Sequence, residues 1–194
     1  MDISKKINKY LDSNLFITTE EANSIGVNKT TLSRLVQNDE LIRLSRGVYV
    51  KEFDWLTDDL KRYVVPCAKY NGAVVAGISS LSYHNLTDQE ERQTWLAVKP
   101  PEKVQAKNYR TLRLSGNCYS LGIMKHSFGN RKVLIYDAEK SVVDAFKYLW
   151  EEVAFKALKA YLKRDDKNVK KLCEYGVKLK KPLDDYVVAI LSDE

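Results

Sequence analysis

Hydrophobic residues near the start of the chain recur every three or four positions, which is the spacing of one face of a helix. This pattern predicts a first helix over about residues 2–13. Thr18 and Glu21 then have the spacing of a capping box, in which each side chain bonds the backbone at the start of a helix. We expect Gly26 to end this second helix, because glycine readily adopts the positive φ of a helix C-terminus.

A third helix is predicted from Asn28, whose side chain can cap it, to about Asn38. Its apolar residues share one face of the helix and are Leu32, Leu35 and Val36. Residues 41–44 and 48–50 then read as two short strands joined by a turn in which Gly47 permits positive φ. Three helices followed by a hairpin predict an N-terminal winged helix-turn-helix domain, which we assign to residues 1–56.

The polar face of the third helix offers hydrogen-bonding groups and cations but no carboxylate. Its candidate DNA-binding residues are Asn28, Lys29, Thr30, Thr31, Ser33, Arg34 and Gln37. The hairpin adds Arg43, Ser45 and Arg46 at the place where a wing touches the backbone or the minor groove of DNA. Because a recognition helix meets base edges near its N-terminal end, we expect double-stranded DNA to be read by Thr30, Thr31, Ser33 and Arg34.

The second part of the chain, residues 57–194, changes to short strand-like runs and then to helices. A helix capped near Thr57 or Asp58 is expected first, with Pro66 bending or ending it. A mixed sheet is predicted over about 73–136. Residues 73–77 read as a strand or as the start of a buried helix, and residues 79–86 as a short helix. Strands are predicted at 94–98, 109–114, 122–128 and 132–136.

The rest of this domain, about 137–192, is predicted to be helical. Asp137 can cap the first of these helices. The apolar stripe that follows consists of Val142, Val143, Phe146, Leu149, Trp150, Val153, Leu158 and Tyr161. Two shorter helices are expected at 167–175 and 182–191. The predicted fold class is therefore α+β: a winged helix-turn-helix followed by a larger mixed α/β domain that ends in helices.

Positive charge is concentrated near the C-terminus rather than in the winged helix. The formal net charge of the chain is +6, and residues 154–182 alone carry ten Lys and Arg against three Asp and Glu. A field of this sign favours nucleic acid or another acidic partner, although a solvated helical face has the same pattern. We take five of these lysines as candidate contacts to DNA phosphates that flank the site: Lys156, Lys159, Lys163, Lys170 and Lys171.

Metal, cofactor and membrane classes find no support in the sequence. The three cysteines, Cys67, Cys118 and Cys173, are far apart and form no zinc motif, so we expect them to be reduced. No apolar run approaches the roughly 20 residues of a membrane span, and the N-terminus lacks the apolar core of a signal peptide. We therefore expect a cytoplasmic protein that has no metal and no cofactor.

Catalytic motifs are equally weak. The sequence contains no Gly-rich phosphate loop, and the serines near His84, namely Ser79, Ser80 and Ser82, are expected to be helix-capping residues beside a hydrogen-bonded histidine. The segment from Asp137 to Asp144 resembles nuclease carboxylates, but Glu139 and Lys140 are adjacent and start a helix, whereas that chemistry needs E-x-K on a strand. We expect Asp137 and Asp144 to cap and anchor the helix, and the protein not to be an enzyme.

Four stretches in this order resemble the AbiEi family of antitoxins. They are "LIRLSRGVYV" in the wing, "AVVAGISSLSYHNL", "TWLAVKPP" and "VLIYDAEKSVVDAFKY". The last is similar to the family's V-x-D-x-E-R-T-L-x-D segment, with Lys140 and Ser141 in place of the usual Arg and Thr. In the second stretch, Ala76 stands where a Ser is common.

The resemblance implies an antitoxin of a type IV toxin–antitoxin system linked to abortive phage infection. In that family the N-terminal domain represses its own operon by binding inverted repeats in the promoter, and the C-terminal domain antagonises a nucleotidyltransferase-like toxin without a stable complex. Because the chain shows no obvious dimerisation helix, we expect a monomer in solution and two copies on DNA. Two alternatives stay open: a winged-helix module for protein interaction, and a nuclease that a DNA-binding domain targets.

Overall fold

The computed structural model describes residues 3–51, 60–70, 72–102, 104, 107–128 and 131–192. The chain divides into two units, the first formed by residues 1–69 with 127–132 and the second by residues 70–126 with 133–194. The expected domain boundary after residue 56 and the expected helix cap at Thr57 or Asp58 lie outside the described residues.

The first unit has the element order of a winged helix. It contains α1 (Ile3–Leu11), β1 (Ile17–Thr18), α2 (Thr19–Ser24), α3 (Lys29–Gln37), β2 (Ile42–Ser45) and β3 (Val48–Val50). The strands form an antiparallel sheet in the order β1-β3-β2, with Ile17 opposite Tyr49 and Ile42 opposite Val50. The three predicted helices and the hairpin are confirmed; α1 ends two residues before the predicted end.

The start of α2 confirms the capping box. The Thr18 hydroxyl accepts a hydrogen bond from the Glu21 N–H at 3.2 Å, and the Glu21 carboxylate accepts one from the Thr18 N–H at 2.8 Å. After α2, Gly26 has φ 81°, as predicted for a residue that leaves a helix. The unit closes around Ile7, Leu32 and other buried apolar residues of the three helices.

Beyond the wing, a π-helical segment at Leu60–Val64 runs directly into α4 at Val65–Lys69. Of the two expected effects, bending or ending the helix, the second is wrong, because Pro66 is the second residue of α4. Because a helical segment already precedes it, the missing N–H of Pro66 falls inside a helical run, at the point where the backbone changes from π-helical to α-helical.

The second unit is built on a mixed five-stranded sheet with the strand order β6-β5-β4-β8-β7. Its first elements are β4 (Val74–Val75), α5 (Gly77–Tyr83), β5 (Thr94–Val98), β6 (Tyr109–Arg113), α6 (Asn117–Ser120), β7 (Ile123–Phe128) and β8 (Arg131–Tyr136). β4 is antiparallel to β5 and parallel to β8, and β5 is parallel to β6. The predicted strands are confirmed within a residue or two at their ends, whereas the four residues of α6 are too few for a helical period to be visible.

Four helices follow the sheet: α7 (Ala138–Tyr148), α8 (Glu151–Leu162), α9 (Val169–Lys178) and α10 (Asp184–Ser192). Their apolar faces contribute to a large buried cluster that includes Val142, Leu158 and Leu172. The placement of Trp150 on the apolar stripe is wrong, since this side chain is 85% exposed. The backbone leaves the helical region at Leu149 (φ −115°, ψ 172°), so the phase of α7 does not continue into α8. Among the helices that the structure describes, none is both long enough and apolar enough to cross a membrane.

Candidate nucleic-acid interface

The outer face of α3 is set by the phase of its buried residues. Leu32 and Leu35 are buried in the first unit, so the opposite side of α3 faces outward. The exposed residues of this face are Lys29, Thr30, Ser33, Arg34 and Gln37. Both charged residues of α3, Lys29 and Arg34, are cations. The face can therefore donate hydrogen bonds to base edges and to phosphates without like-charge repulsion from a carboxylate of its own helix.

Asn28 and Thr31, two further predicted DNA contacts, are bonded to each other. The side-chain oxygen of Asn28 accepts hydrogen bonds from the Thr31 N–H at 2.9 Å and from the Thr31 hydroxyl at 3.0 Å. Thr31 is half-buried, while Asn28 is exposed. These two residues therefore fix the start of α3, a role worth about 1 kcal/mol for a typical N-cap.

The connection from α2 to α3 is a short turn that gives α3 the position of the second helix of a helix-turn-helix. Gly26 supplies the positive φ, and the Val27 N–H donates to the Ala22 carbonyl at 2.8 Å. Val27 is buried, and α2 packs against α3. α3 is thus held by α2 through backbone bonds and core contacts, not by its own exposed side chains.

The wing is anchored close to the start of α2. Gly47, with φ 82°, accepts a hydrogen bond on its carbonyl from the Thr19 N–H at 2.9 Å. A Cβ added at Gly47 would lie 3.1 Å from the Thr19 hydroxyl, so the close approach also favours glycine. Arg43 and Arg46 are exposed on β2 and in the turn.

Ser45 is the wing residue that the structure places differently from the sequence-based expectation. Its hydroxyl oxygen is buried and has no hydrogen-bond partner among the described residues. The register between β2 and β3 shifts between Arg43 and Ser45, and such an irregularity changes the direction of a side chain relative to regular alternation. Ser45 therefore does not join Arg43 and Arg46 as an exposed polar contact.

Lys69, at the end of α4, extends the positive charge of the wing. Burial lowers the pKa of the Lys69 ammonium, and the charges of Arg46 and Arg43 lower it further. The charges of Arg43 and Arg46 therefore act on the Lys69 ammonium, and we call these three cations the wing cluster. Sequence reasoning missed Lys69 because no local pattern connects it with the hairpin.

The predicted lysines of α8 lie on one face of the helix. Lys156, Lys159 and Lys163 are three and four residues apart and all are exposed. Lys156 forms an exposed ion pair with Glu152 at 3.0 Å, and this hydrogen bond raises the pKa of Lys156. Lys163 is the C-cap of α8. The spacing leaves these three cations available on a single surface.

Lys170 and Lys171, adjacent on α9, are placed in different environments. Lys170 is exposed, whereas the Lys171 ammonium lies 3.0 Å from both the Asp137 and the Glu139 carboxylates. Burial acts to lower the pKa of Lys171, but its hydrogen bonds to Glu139 and Asp137 raise it above its usual value. The ammonium of Lys171 is therefore engaged inside the second unit, and we remove it from the candidate phosphate contacts.

The carboxylates of Asp137 and Asp144, which resemble those of a nuclease site, form hydrogen bonds and an ion pair within the second unit. Asp137 caps α7 by accepting a hydrogen bond from the Lys140 N–H at 2.8 Å, and Asp144 pairs with the Lys140 ammonium in a fully buried ion pair. Burial lowers the pKa of Lys140 and raises the pKa of Asp144, so the site tolerates each charge only beside the other. The predicted capping and anchoring roles are confirmed. In the part of the chain that the structure describes, no three His, Cys, Asp or Glu side chains are grouped to hold a metal.

His84 and the neighbouring serines are bonded to separate partners. The His84 Nε2–H donates to the Tyr136 carbonyl at 2.7 Å, and burial lowers the pKa of His84, so the ring is neutral near pH 7. The Ser79 hydroxyl donates to Glu91 at 2.5 Å. The hydrogen-bonded histidine is confirmed, whereas the serine cap is wrong because α5 already begins at Gly77.

Comparison with known proteins supports a regulatory role for the first unit. Residues 6–50 match the model of a family described as "Transcriptional regulator, AbiEi antitoxin". A search of curated proteins found no match to the chain. The matched range starts within α1 and ends with β3, so it contains α3 and the whole wing hairpin. The winged-helix segment of this chain, residues 6–50, is therefore similar to the AbiEi family of antitoxin transcriptional regulators.

Proposed function

We propose that the protein is the antitoxin of a type IV toxin–antitoxin system and the repressor of its own operon. In this proposal it acts in the cytoplasm and binds inverted repeats in its own promoter. The family match over residues 6–50 supports the regulatory part. The resemblance of the later motifs, from "AVVAGISSLSYHNL" to "VLIYDAEKSVVDAFKY", supports the antitoxin part.

The composition of the exposed α3 face is the observation that carries the DNA-binding proposal. Thr30, Ser33 and Arg34 are exposed on a helix whose only charges are positive. An Arg side chain can donate two hydrogen bonds to one guanine in the major groove, and hydroxyl groups can bond to several bases. We assign base reading to these three residues, with Gln37 at the far end of the face.

The wing cluster is proposed to contact DNA phosphates, and such contacts do not depend on the base sequence. The charges of Arg46 and Arg43 add to the effect of burial in lowering the pKa of Lys69, so repulsion from both arginines acts on its ammonium. A phosphate group bound among them would relieve this repulsion, so binding is favoured beyond the simple attraction of opposite charges. Lys29, at the start of α3, is placed to add a further phosphate contact.

The exposed lysines of the second unit are proposed to contact flanking phosphates and to help bend the operator. They are Lys156, Lys159, Lys163 and Lys170. Each phosphate contact releases counterions and steepens the salt dependence of binding by about one unit. Charge reversal at three of these residues should therefore lower both the affinity and the salt slope, and unchanged values would refute this part.

The proposed antagonism of a nucleotidyltransferase-like toxin rests on the family resemblance. It is expected to occur without a stable complex between the two proteins. Expression of the toxin gene next to this one, with and without the antitoxin, tests the proposal by growth. Failure of the intact chain to restore growth would refute the antitoxin function, whereas rescue by an Arg34→Ala variant would show that it is separate from DNA reading.

Binding of the full-length protein to the DNA directly upstream of its own gene tests the repressor function. Fluorescence anisotropy in excess competitor DNA should show specific, salt-sensitive binding. Arg34→Ala should cost about 1–3 kcal/mol and relax the preference at one base position. Arg92→Ala is the matched control, since Arg92 is an exposed arginine of the second unit.

Each other outcome of this experiment has a defined meaning. Equal weakening on every sequence would make Arg34 a phosphate contact instead of a base reader. Absence of specific binding would refute the repressor function and favour a winged-helix module that contacts proteins. Cutting that depends on a divalent metal would favour the nuclease alternative.

A further inference from the structure

The first unit is not made from one continuous stretch of chain. It includes residues 127–132, which join β7 to β8, together with residues 1–69. Arg131 is the first residue of β8, and its side chain bonds to Glu21 and Phe16 of the winged helix. It lies 110 positions from its main partner in the sequence, Glu21.

Arg131 binds at the entry to α2. Its Nη1 donates to one Glu21 carboxylate oxygen at 2.5 Å, and its Nη2 donates to the other at 3.1 Å. The same Nη2 donates to the Phe16 carbonyl at 2.7 Å, and the guanidinium carbon lies 4.1 Å from the centre of the Phe16 ring. The Arg131 side chain is only 15% exposed. A two-pronged bond of this kind fixes orientation as well as distance.

The carboxylate that Arg131 binds already has a structural task. Glu21 accepts the hydrogen bond from the Thr18 N–H that completes the capping box of α2. Tyr10 of α1 is in the electrostatic neighbourhood of the same pair, because burial together with the Glu21 charge raises the pKa of Tyr10. One ion pair therefore joins β8, the segment 16–18 before α2 and the first turn of α2.

We propose that Arg131 is a positioning residue for operator binding. It fixes the first turn of α2, and α2 in turn supports α3, against which it packs. The proposal rests on the DNA-binding function proposed above. It also means that the DNA-reading unit is incomplete without residues far downstream of the wing. Arg131 acts through Glu21 and not on DNA, because its two Nη atoms are already bonded to Glu21 and Phe16.

A substitution of Glu21 distinguishes a positioning role from a simple effect of charge, because the two predict opposite changes in DNA affinity. Replacing Glu21 by Gln removes a negative charge, which by electrostatics alone strengthens binding to DNA. The positioning role predicts weaker operator binding instead, because the amide cannot form an ion pair with Arg131. A glutamine at this position still accepts the capping hydrogen bond from the Thr18 N–H. The change therefore isolates the link between Glu21 and Arg131.

The experiment compares full-length wild type, Arg131→Met, Glu21→Gln and the double variant. Lys51→Met is the control, since it removes one positive charge from an exposed 4.0 Å pair in the same unit. Anisotropy gives the dissociation constants for the operator and for a random duplex at several salt concentrations. Circular dichroism confirms that each protein is folded at the assay temperature.

We expect each single variant to bind the operator about tenfold more weakly, as when only a tenth of the molecules hold α3 in the binding geometry. The double variant should be no weaker than either single variant, because both remove the same interaction. Binding to the random duplex and the salt slope should stay at the wild-type values. Lys51→Met should not lower the ratio of operator to random affinity.

Three results would overturn the proposal: operator affinity within twofold of wild type for Arg131→Met, tighter operator binding by Glu21→Gln, or a salt slope reduced by about one unit in Arg131→Met. The last would make Arg131 a phosphate contact. If Arg131→Met does not fold, Arg131→Lys takes its place, because lysine keeps the positive charge but cannot form the paired hydrogen bonds of a guanidinium. Its loss of operator affinity should be intermediate. Absence of specific binding by wild type would instead refute the repressor function, and the stability of the four proteins would still report the Glu21–Arg131 coupling.

Discussion

Adjacent lysines on α9 should respond in opposite ways to the same substitution. Lys171→Met removes an ammonium that bonds the Asp137 and Glu139 carboxylates, while Lys170→Met removes one that is exposed. Methionine preserves most of the apolar stem of either side chain, so the comparison isolates the charge. We expect Lys171→Met to destabilise the protein without changing its DNA binding, and Lys170→Met to reduce the salt slope of DNA binding without changing stability.

The size of the stability loss follows from the burial of the partners. The side chains of Asp137 and Glu139 are 7% and 9% exposed, so neither carboxylate can replace Lys171 fully with water. A hydrogen bond to a charged group contributes about 1.5–3 kcal/mol. Lys171 itself is 36% exposed, and solvent screens both of its bonds. Glu139 also keeps its bond from the Tyr161 hydroxyl at 2.9 Å. Together these terms give about 2 kcal/mol.

Urea unfolding followed by circular dichroism measures this difference. A loss of about 2 kcal/mol corresponds to a midpoint lower by about 1 M for a slope of about 2 kcal/mol/M. Burial acts to raise the pKa of Glu139, but the hydrogen bonds from Lys171, from a backbone N–H and from Tyr161, together with the charge of Lys171, hold this pKa below its ordinary 4.5. The stabilisation is therefore complete above about pH 4.5 and disappears as the pH falls through the lowered pKa. The difference between wild type and Lys171→Met should shrink in the same range.

Equal midpoints for Lys170→Met and Lys171→Met at pH 7 would refute the reasoning, because the ion pairs would then contribute nothing. A salt slope lowered by about one unit in Lys171→Met would refute it in another way, since Lys171 would then contact a phosphate. The second result would also restore Lys171 to the proposed DNA interface. Both readouts use the same two purified variants.

Other changes test the fold and the assembly. Thr18→Ala removes half of the capping box and should lower the free energy of unfolding by about 1 kcal/mol in urea titrations, whereas an unchanged value would show that the box is not stabilising. Gly77→Ala should cost about 3 kcal/mol, because Gly77 has φ 53° and a Cβ would lie 2.5 Å from the Trp95 ring; normal stability would contradict the tight packing at this point. Sedimentation should show a monomer without DNA and two copies on the operator, and a tight free dimer would contradict this.

Elements of the fold that depend on neighbouring residues were predictable from the sequence. The capping box, the N-cap at Asn28 and the strand Thr94–Val98 each depend on side chains within a few positions. Errors arose where a periodic pattern ran across a break in the backbone. Trp150 fits the apolar stripe of α7 by number, but the chain leaves the helix at Leu149 and exposes it.

The candidate interface shows the same division between local and distant determinants. The exposed face of α3 follows from helical phase, so its residues could be chosen before the structure was known. Lys69 and Arg131 could not be chosen in this way, because they meet the winged helix from later parts of the chain. Proximity of this kind is set by tertiary folding, and no spacing rule within a single element reveals it.

Residue type alone also does not separate a DNA contact from a structural residue. Lys170 and Lys171 have the same charge and adjacent positions, and either fits a basic patch on a helix. About 100° of rotation between neighbours on a helix points one ammonium to solvent and the other to two buried carboxylates. Asp137 also caps α7, so the Lys171 ammonium pairs with a carboxylate that already has a structural role. A count of basic residues therefore overstates the DNA-binding surface wherever carboxylates lie buried beneath it.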